Sequence, residues 1–480
     1  MTISIKEASF FICSIVLFLS TIVLDIAINI SIQNFTKILI FNICIVIVYQ
    51  ISLKKITFEL LFNAFIALFI FSRAISGIIY EDASLYMTIN TYGNIEIDEK
   101  ITKFIFSIYC LVIHLSFLIG LLFKNNYSSP QDNEPFFKKI FNHQIYSVNN
   151  KLLIVLFIFF VPIQISYINF ILTNGYLAIF NSDSFSGLIY KDLITRVIYL
   201  SLPIAFIFQI KTFQSISKLL LFLISLFIFL ELLTGQRGHA VLLGLSLYLY
   251  YSICLNKNIG VQRLILYAFI SVILLVSIDA LRSSESSESL LLIALQGFGT
   301  TLNTHQTGIY FEENLRDMQN SSYALYGITD YIERLLNPGL ENIYNTRSHE
   351  LLITSNYLGH KLTYLMNKET WLLGYGLGSA FLLELYIDFG KYIALFLMTI
   401  VLVFYKFYES KIKFSNGFLS NLIFINLVQY LLFLPRGSLS NFFPTLIFIL
   451  FFYAFVFIAS LVLQHVKNII NQHHEKQHVL

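Results

Sequence analysis

Residues 231–243 read ELLTGQRGHAVLL, and they join two runs that are each apolar enough to cross a bilayer. The stretch from Thr234 to Gly238 leaves room only for a tight turn. The two runs therefore form a helical hairpin through a membrane. Glycines at 235 and 238 let the backbone bend and come close to a ligand, and Arg237 projects at the membrane boundary between them. The same guanidinium would equally snorkel to lipid headgroups or pair with Glu231.

The rest of the chain repeats this pattern. Of its 480 residues 57% are hydrophobic and only 12% charged, where a soluble protein carries about 25% charged residues. Apolar stretches of about 20 residues predict an all-α polytopic integral membrane protein, since the short alternating strands of a β-barrel are missing. Twelve spans are expected, at roughly 9–30, 37–53, 57–79, 102–123, 151–172, 195–211, 216–234, 239–256, 262–281, 391–408, 417–435 and 441–464. The first reads as a retained span, because no small-residue cleavage site closes it. Cys13, Cys44, Cys110 and Cys254 sit far apart inside apolar runs and read as packing residues. A net charge of +3 carries no implication of nucleic acid.

Lysine sets the orientation. With the N-terminus cytoplasmic, 15 of 22 lysines fall on the cytoplasmic side, among them Lys54, Lys55, Lys124, Lys211 and Lys406. Both termini are then cytoplasmic, and the segment EDASLYMTINTYGNIEIDEK (81–100) is external. Arginine behaves differently. Of nine arginines only Arg263 is cytoplasmic, while Arg73, Arg196, Arg237, Arg282, Arg316, Arg334, Arg347 and Arg436 lie on or near the external side. A planar five-donor fork suits phosphate or carboxylate, so this split points to an anionic ligand at the outer leaflet. Four regions are expected: a nine-span membrane region 1–281, an external loop 282–378 with interfacial helices, a re-entrant or interfacial helix with the last three spans at 379–464, and a cytoplasmic tail 465–480.

Four external constellations carry candidate chemistry besides the opening turn. In SIDALRSSESSES (277–289), Asp279 and Arg282 share a helix face, either neutralising each other or presenting a second guanidinium. The stretch LLLIALQGFGTTLNTHQTGIYF (290–311) begins apolar and ends polar, as a partly re-entrant helix would. It holds His305, which is a candidate base or else a satisfied surface histidine. In LLGYGLGSAFLLELYIDFGK (372–391), Glu384 and Asp388 stand at i, i+4, a spacing that fits a carboxylate pair handling protons or sugar hydroxyls. Asp388 would equally neutralise Lys391. FLPRGSLSNFFP (433–444) repeats the Arg-Gly turn at Arg436.

TGQRGHAVLL, LRS…QGFGTTL and above all LGYGLGSAFLLELYIDFG resemble the O-antigen polysaccharide polymerases called Wzy, by motif over roughly 220–410 and by hydropathy over the whole chain. The resemblance implies a GT-C-like, multi-pass glycosyltransferase of the bacterial inner membrane, with a periplasmic active site and no metal or cofactor. Its donor would be a glycan on undecaprenyl pyrophosphate, and its acceptor a single lipid-linked repeat unit. A chain-length regulator and a flippase of the same pathway, together with membrane lipids, are the further partners it implies. External arginines are the expected diphosphate contacts, which carries over to Arg237, Arg282 and Arg436. Gln236, Gln296 and Tyr375 complete the expected pyrophosphate- and glycan-binding set, and the base is left open among His305, Glu384 and Asp388. One departure is QGFGTT, where a serine is expected after Gln-Gly, and it bears on Gln296. An O-antigen ligase using the same donor is the nearest alternative. A lipid-linked oligosaccharide flippase is a further one, although internal repeats and mid-membrane charges are not evident here.

Overall fold

The computed structural model describes residues 4–53, 55–89, 95–123, 136–174, 188–234, 237–255, 289–340, 348–372, 376–412, 415 and 417–478. The chain is mostly helical. Helices α1 (Ile5–Ile28), α2 (Ile32–Ser52), α3 (Phe58–Ile79) and α4 (Glu99–Leu122) are followed by α5 (Phe136–Asn174), α6 (Leu188–Phe213), α7 (Lys218–Thr234) and α8 (Arg237–Leu255). After residues outside the described set come α9 (Leu290–Phe298), α10 (Thr300–Tyr310), α11 (Tyr326–Leu336), α12 (Leu358–Met366), α13 (Phe381–Ile412), α14 (Phe418–Phe433) and α15 (Phe442–His478).

Among the described residues nine helical stretches are long and apolar enough to cross a membrane. The spans expected at 216–234 and 417–435 form shorter apolar helices, α7 with 17 residues and α14 with 16. The span expected at 262–281 lies outside the described residues. A short β-hairpin pairs Thr88 with Glu96 and Ile89 with Ile95 in the segment between α3 and α4.

The chain divides into two compact units built from discontinuous segments. The first comprises residues 1–127, 258–410 and 430–444, the second 128–257, 411–429 and 445–480. In the first unit α1, α2 and α4 pack together around a buried polar node. There the Ser14 hydroxyl meets Nε2 of His114 at 2.9 Å and donates to Asn42 at 3.2 Å. Without a hydrophobic drive between helices in lipid, such side-chain bonds hold spans together. A π-helical turn, Ala67–Phe71, interrupts α3. Against it packs α10, whose Thr301, Asn303, Thr304, His305, Gln306 and Thr307 are all buried. A helix this polar is tolerated at that depth only inside protein. It reaches Tyr109, ten residues along α4. In α13 the backbone breaks at Gly390, whose φ of 77° is open only to glycine at low cost, so a short segment 381–389 precedes the long apolar one.

At the other end of this unit, Lys406 bonds both Glu59 (2.6 Å) and Glu409 (2.5 Å), and all three are nearly inaccessible. In the second unit α5 and α6 pack against each other, and Gln164 donates to Glu231 at 2.9 Å. The Lys191 ammonium lies 4.1 Å from the Tyr167 ring centre.

Removing one partner of a buried ion pair strands the other charge. Lys406→Met should therefore destabilise the protein by about 3–5 kcal/mol. A thermal melt in detergent checks this, and an unchanged melting temperature would show that the triad is not a clamp.

Candidate active site

Two glycine-rich turns far apart in sequence meet at one carboxyl. The GYGLGS stretch forms neither helix nor strand from Gly376 to Ala380 and delivers Ser379 to the start of α13. The PRGS turn closes on the same point, where the Phe381 amide donates to the Gly437 carbonyl at 2.9 Å. Glu384 sits in the first turn of α13, where the positive end of the helix dipole favours an acid. It is completely buried. One of its oxygens accepts from the Ser379 hydroxyl at 2.6 Å and the other from Ser438 at 2.7 Å. Ser438 is in turn 2.9 Å from the Ser440 hydroxyl. Neither contact brings a cation to Glu384.

Two guanidinium groups flank α3 in the same unit. Arg436, half-buried, lies over the Phe69 ring at 5.4 Å from its centre, and burial pulls its pKa below the usual arginine value. Among the described residues its guanidinium makes no ion pair. Arg73 stands four residues after Phe69 on α3, so both belong to one helix face. Nε of Arg73 donates to the Gln296 amide oxygen at 2.5 Å, and Nη1 donates to Asn303. Gln296 donates onward to Ser76 at 2.7 Å. Gly299, between α9 and α10, is required by this contact. A Cβ there would overlap the Arg73 side chain and stand 2.8 Å from the Ser72 hydroxyl. Arg73 is thus buried and held by two neutral amides, with no carboxylate bridging it among the described residues.

The remaining expected residues fall as follows. Asp388 accepts from Gln319 (2.7 Å), Ser322 (2.6 Å) and the amides of Tyr323 and Ala324 (both 3.0 Å). It ties the segment 319–324 to α13, and Lys391 instead lies over the Tyr392 ring. His305 is buried rather than on the surface. Its Nδ1 is 2.9 Å from the Thr301 carbonyl, which can only accept, so Nδ1 carries the proton and Nε2 accepts from the Tyr109 hydroxyl at 2.6 Å. Burial holds its pKa down to about 4, which makes it a weak base at neutral pH. Gln296 is the partner of Arg73 described above. Arg237 opens α8, but its side chain lies outside the described residues, as do Gln236, Asp279, Arg282 and Tyr375 altogether. Ser379 and Ser438 were not singled out from sequence, and Arg73 entered only as one of the eight external arginines. The usable signal for the serines is the Gly-Ser step shared by GLGS and PRGS.

Among the described residues no group of three or more histidine, cysteine or acidic side chains could hold a metal ion. Fold and site together define a multi-pass membrane protein with two largely buried arginines and a buried carboxyl in one compact unit. The family model for O-antigen polysaccharide polymerase Wzy matches residues 9–467 of the 480-residue chain, and the chain belongs to that family. Comparison with curated proteins and with solved structures finds no match. Membership makes the protein a polymerising glycosyltransferase that acts on lipid-linked oligosaccharide repeat units in a membrane.

The His305 environment has a measurable pH signature. Between pH 6.5 and about 4 the unfolded chain binds the imidazole proton and the folded chain does not. Stability should fall as pH falls through that window, by up to about 3 kcal/mol. His305→Gln should flatten this slope in thermal melts recorded from pH 7 to 5; parallel slopes for both proteins would exclude it.

Proposed function

We propose that the protein joins undecaprenyl-pyrophosphate-linked repeat units into O-antigen at the periplasmic face of the inner membrane. The observation that carries this reading is the convergence of the Arg436 turn and the GYGLGS stretch on Glu384, with Arg73 on the same helix face as the ring beneath Arg436. The lysine bias puts this side outside and both termini in the cytoplasm.

In the reaction an acceptor hydroxyl attacks C1 of the donor sugar. The C1–oxygen bond to pyrophosphate breaks, and undecaprenyl pyrophosphate departs with the bonding electrons. The hydroxyl proton passes to a base. Arg436 and Arg73 offer cations to the departing diphosphate, in the role that a metal plays elsewhere, and desolvation makes each worth more than in water. We assign the base to Glu384. His305 has both ring nitrogens engaged, and Asp388 already accepts four hydrogen bonds. The acceptor hydroxyl would replace one of the two serines now bonded to Glu384. Arg237, Arg282, Gln236 and Tyr375 are kept as proposed diphosphate- and glycan-binding residues on the strength of their sequence motifs alone.

Purified protein given lipid-linked repeat units should yield a ladder of chain lengths. Arg436→Ala and Glu384→Gln should each lower its rate by about 10²–10³-fold, the range found when one charge-stabilising donor is removed. A ladder formed by either variant at the wild-type rate would remove that residue from the mechanism, and no ladder from the wild type would overturn the polymerase reading. In cells, deletion should leave single repeats attached to lipid A–core, whereas bare core would point to a ligase.

A further inference from the structure

A row of aromatic rings in the first unit is not used by the chemistry above. Tyr326 and Tyr357 stand 4.9 Å apart between ring centres, and Tyr357 meets His360 edge-on at 4.9 Å. His360 lies 6.4 Å from Trp371, which Tyr364 meets edge-on at 5.6 Å. Only the far end of this row is core. Trp371 is buried with Leu351 and Leu352, and Tyr364 packs on that cluster. Tyr326, Tyr357 and His360 are partly exposed and lie outside that cluster.

The exposed end of the row is wired to Glu384. The Tyr326 hydroxyl donates to Asn441 at 2.5 Å, in the turn that carries Arg436. The neighbouring Gly327 amide donates to the Ser440 hydroxyl at 3.1 Å. Ser440 contacts Ser438, and Ser438 donates to Glu384. After burial, the proximity of Tyr357 and then Glu384 pushes the Tyr326 phenol upward, so ring and carboxyl share one electrostatic environment.

We propose that Tyr326, Tyr357 and His360 form a saccharide-binding subsite that holds a pyranose ring of the glycan beside Glu384. A pyranose has apolar C–H faces and a rim of hydroxyls. It therefore fits partly exposed aromatic faces bordered by hydroxyl, amide and imidazole groups. Rings held by two χ angles give that contact at small entropic cost. The subsite rests on the proposed function for its ligand class, while its geometry is independent of the diphosphate chemistry.

Trp371 is the single tryptophan of the chain, so its emission reports on this row alone. The full-length protein in detergent is titrated with lipid-free repeat-unit oligosaccharide released by mild acid from the source strain's lipopolysaccharide. Tryptophan emission and saturation-transfer NMR of the sugar protons are both followed, with maltose as an unrelated saccharide. The expected result is saturable binding of the oligosaccharide in at least one readout and not of maltose. Tyr357→Ala should weaken it at least tenfold, while Tyr357→Phe, which keeps the ring, stays within about twofold of wild type. Tyr326→Ala, with a melting temperature near wild type, should weaken it as well. Binding absent from both readouts, or unaltered in both alanine variants, overturns the subsite. Normal binding without any ladder would sink the polymerase reading alone, and a ladder without binding would sink the subsite alone.

Discussion

Glu384 is a fully buried carboxyl that, among the described residues, has no bonded cation, and the arrangement of the first unit depends on how it is satisfied. A buried acid left unbonded costs several kcal/mol. Here the cost is met by two serine hydroxyls, one from each of two turns that are otherwise unrelated in sequence. Satisfying it fixes the entry of α13 against the Arg436 turn, and the Phe381 amide bonded to Gly437 reinforces the same junction. Donors that are neutral and can rotate matter for chemistry. A hydroxyl is exchangeable for a substrate hydroxyl, whereas an ion-paired lysine would lock the carboxylate and lower its basicity.

Buried basic residues are satisfied in two ways. Lys103 sits beside Asp25 at 2.8 Å and Lys406 beside Glu59 and Glu409, whereas Lys361 donates to the Met318 carbonyl and lies over the Tyr323 ring. Among the described residues Arg73 and Arg436 form no ion pair either. One is cradled by amides and the other by an aromatic ring. An amide or a ring orients a guanidinium without cancelling its charge, so the field is available to a bound anion.

The helical membrane architecture was legible because an apolar stretch of about 20 residues has few other physical solutions. The break at Gly390 has a similar root, since glycine interrupts an apolar period. Spacing alone misled on the pair Glu384 and Asp388. They share a helix, yet Asp388 is consumed by four donors from 319–324, a segment whose approach no local pattern announces. The surface reading of His305 missed its burial, which comes from the packing of α10 against α3 and α4 and has no local sequence signal. Arg73 carries no adjacent glycine in its own segment. The glycine that makes room for it, Gly299, lies more than two hundred residues away.

That last pairing bears on what α3 is for. A π-helical turn is uncommon and gives up regular hydrogen-bond geometry, and such turns recur at functional sites. The one in α3 ends at Phe71 and is followed at once by Ser72 and Arg73, which press against Gly299. Three costly features therefore coincide: a widened turn, a glycine break in a buried helix and a desolvated guanidinium. For stability alone, apolar residues replacing Arg73, Gln296 and Asn303 would serve as well or better, since buried polar networks rarely outdo a packed apolar core. The network makes sense if the cation must stay in place and stay uncancelled, and that is what a site awaiting an anion requires.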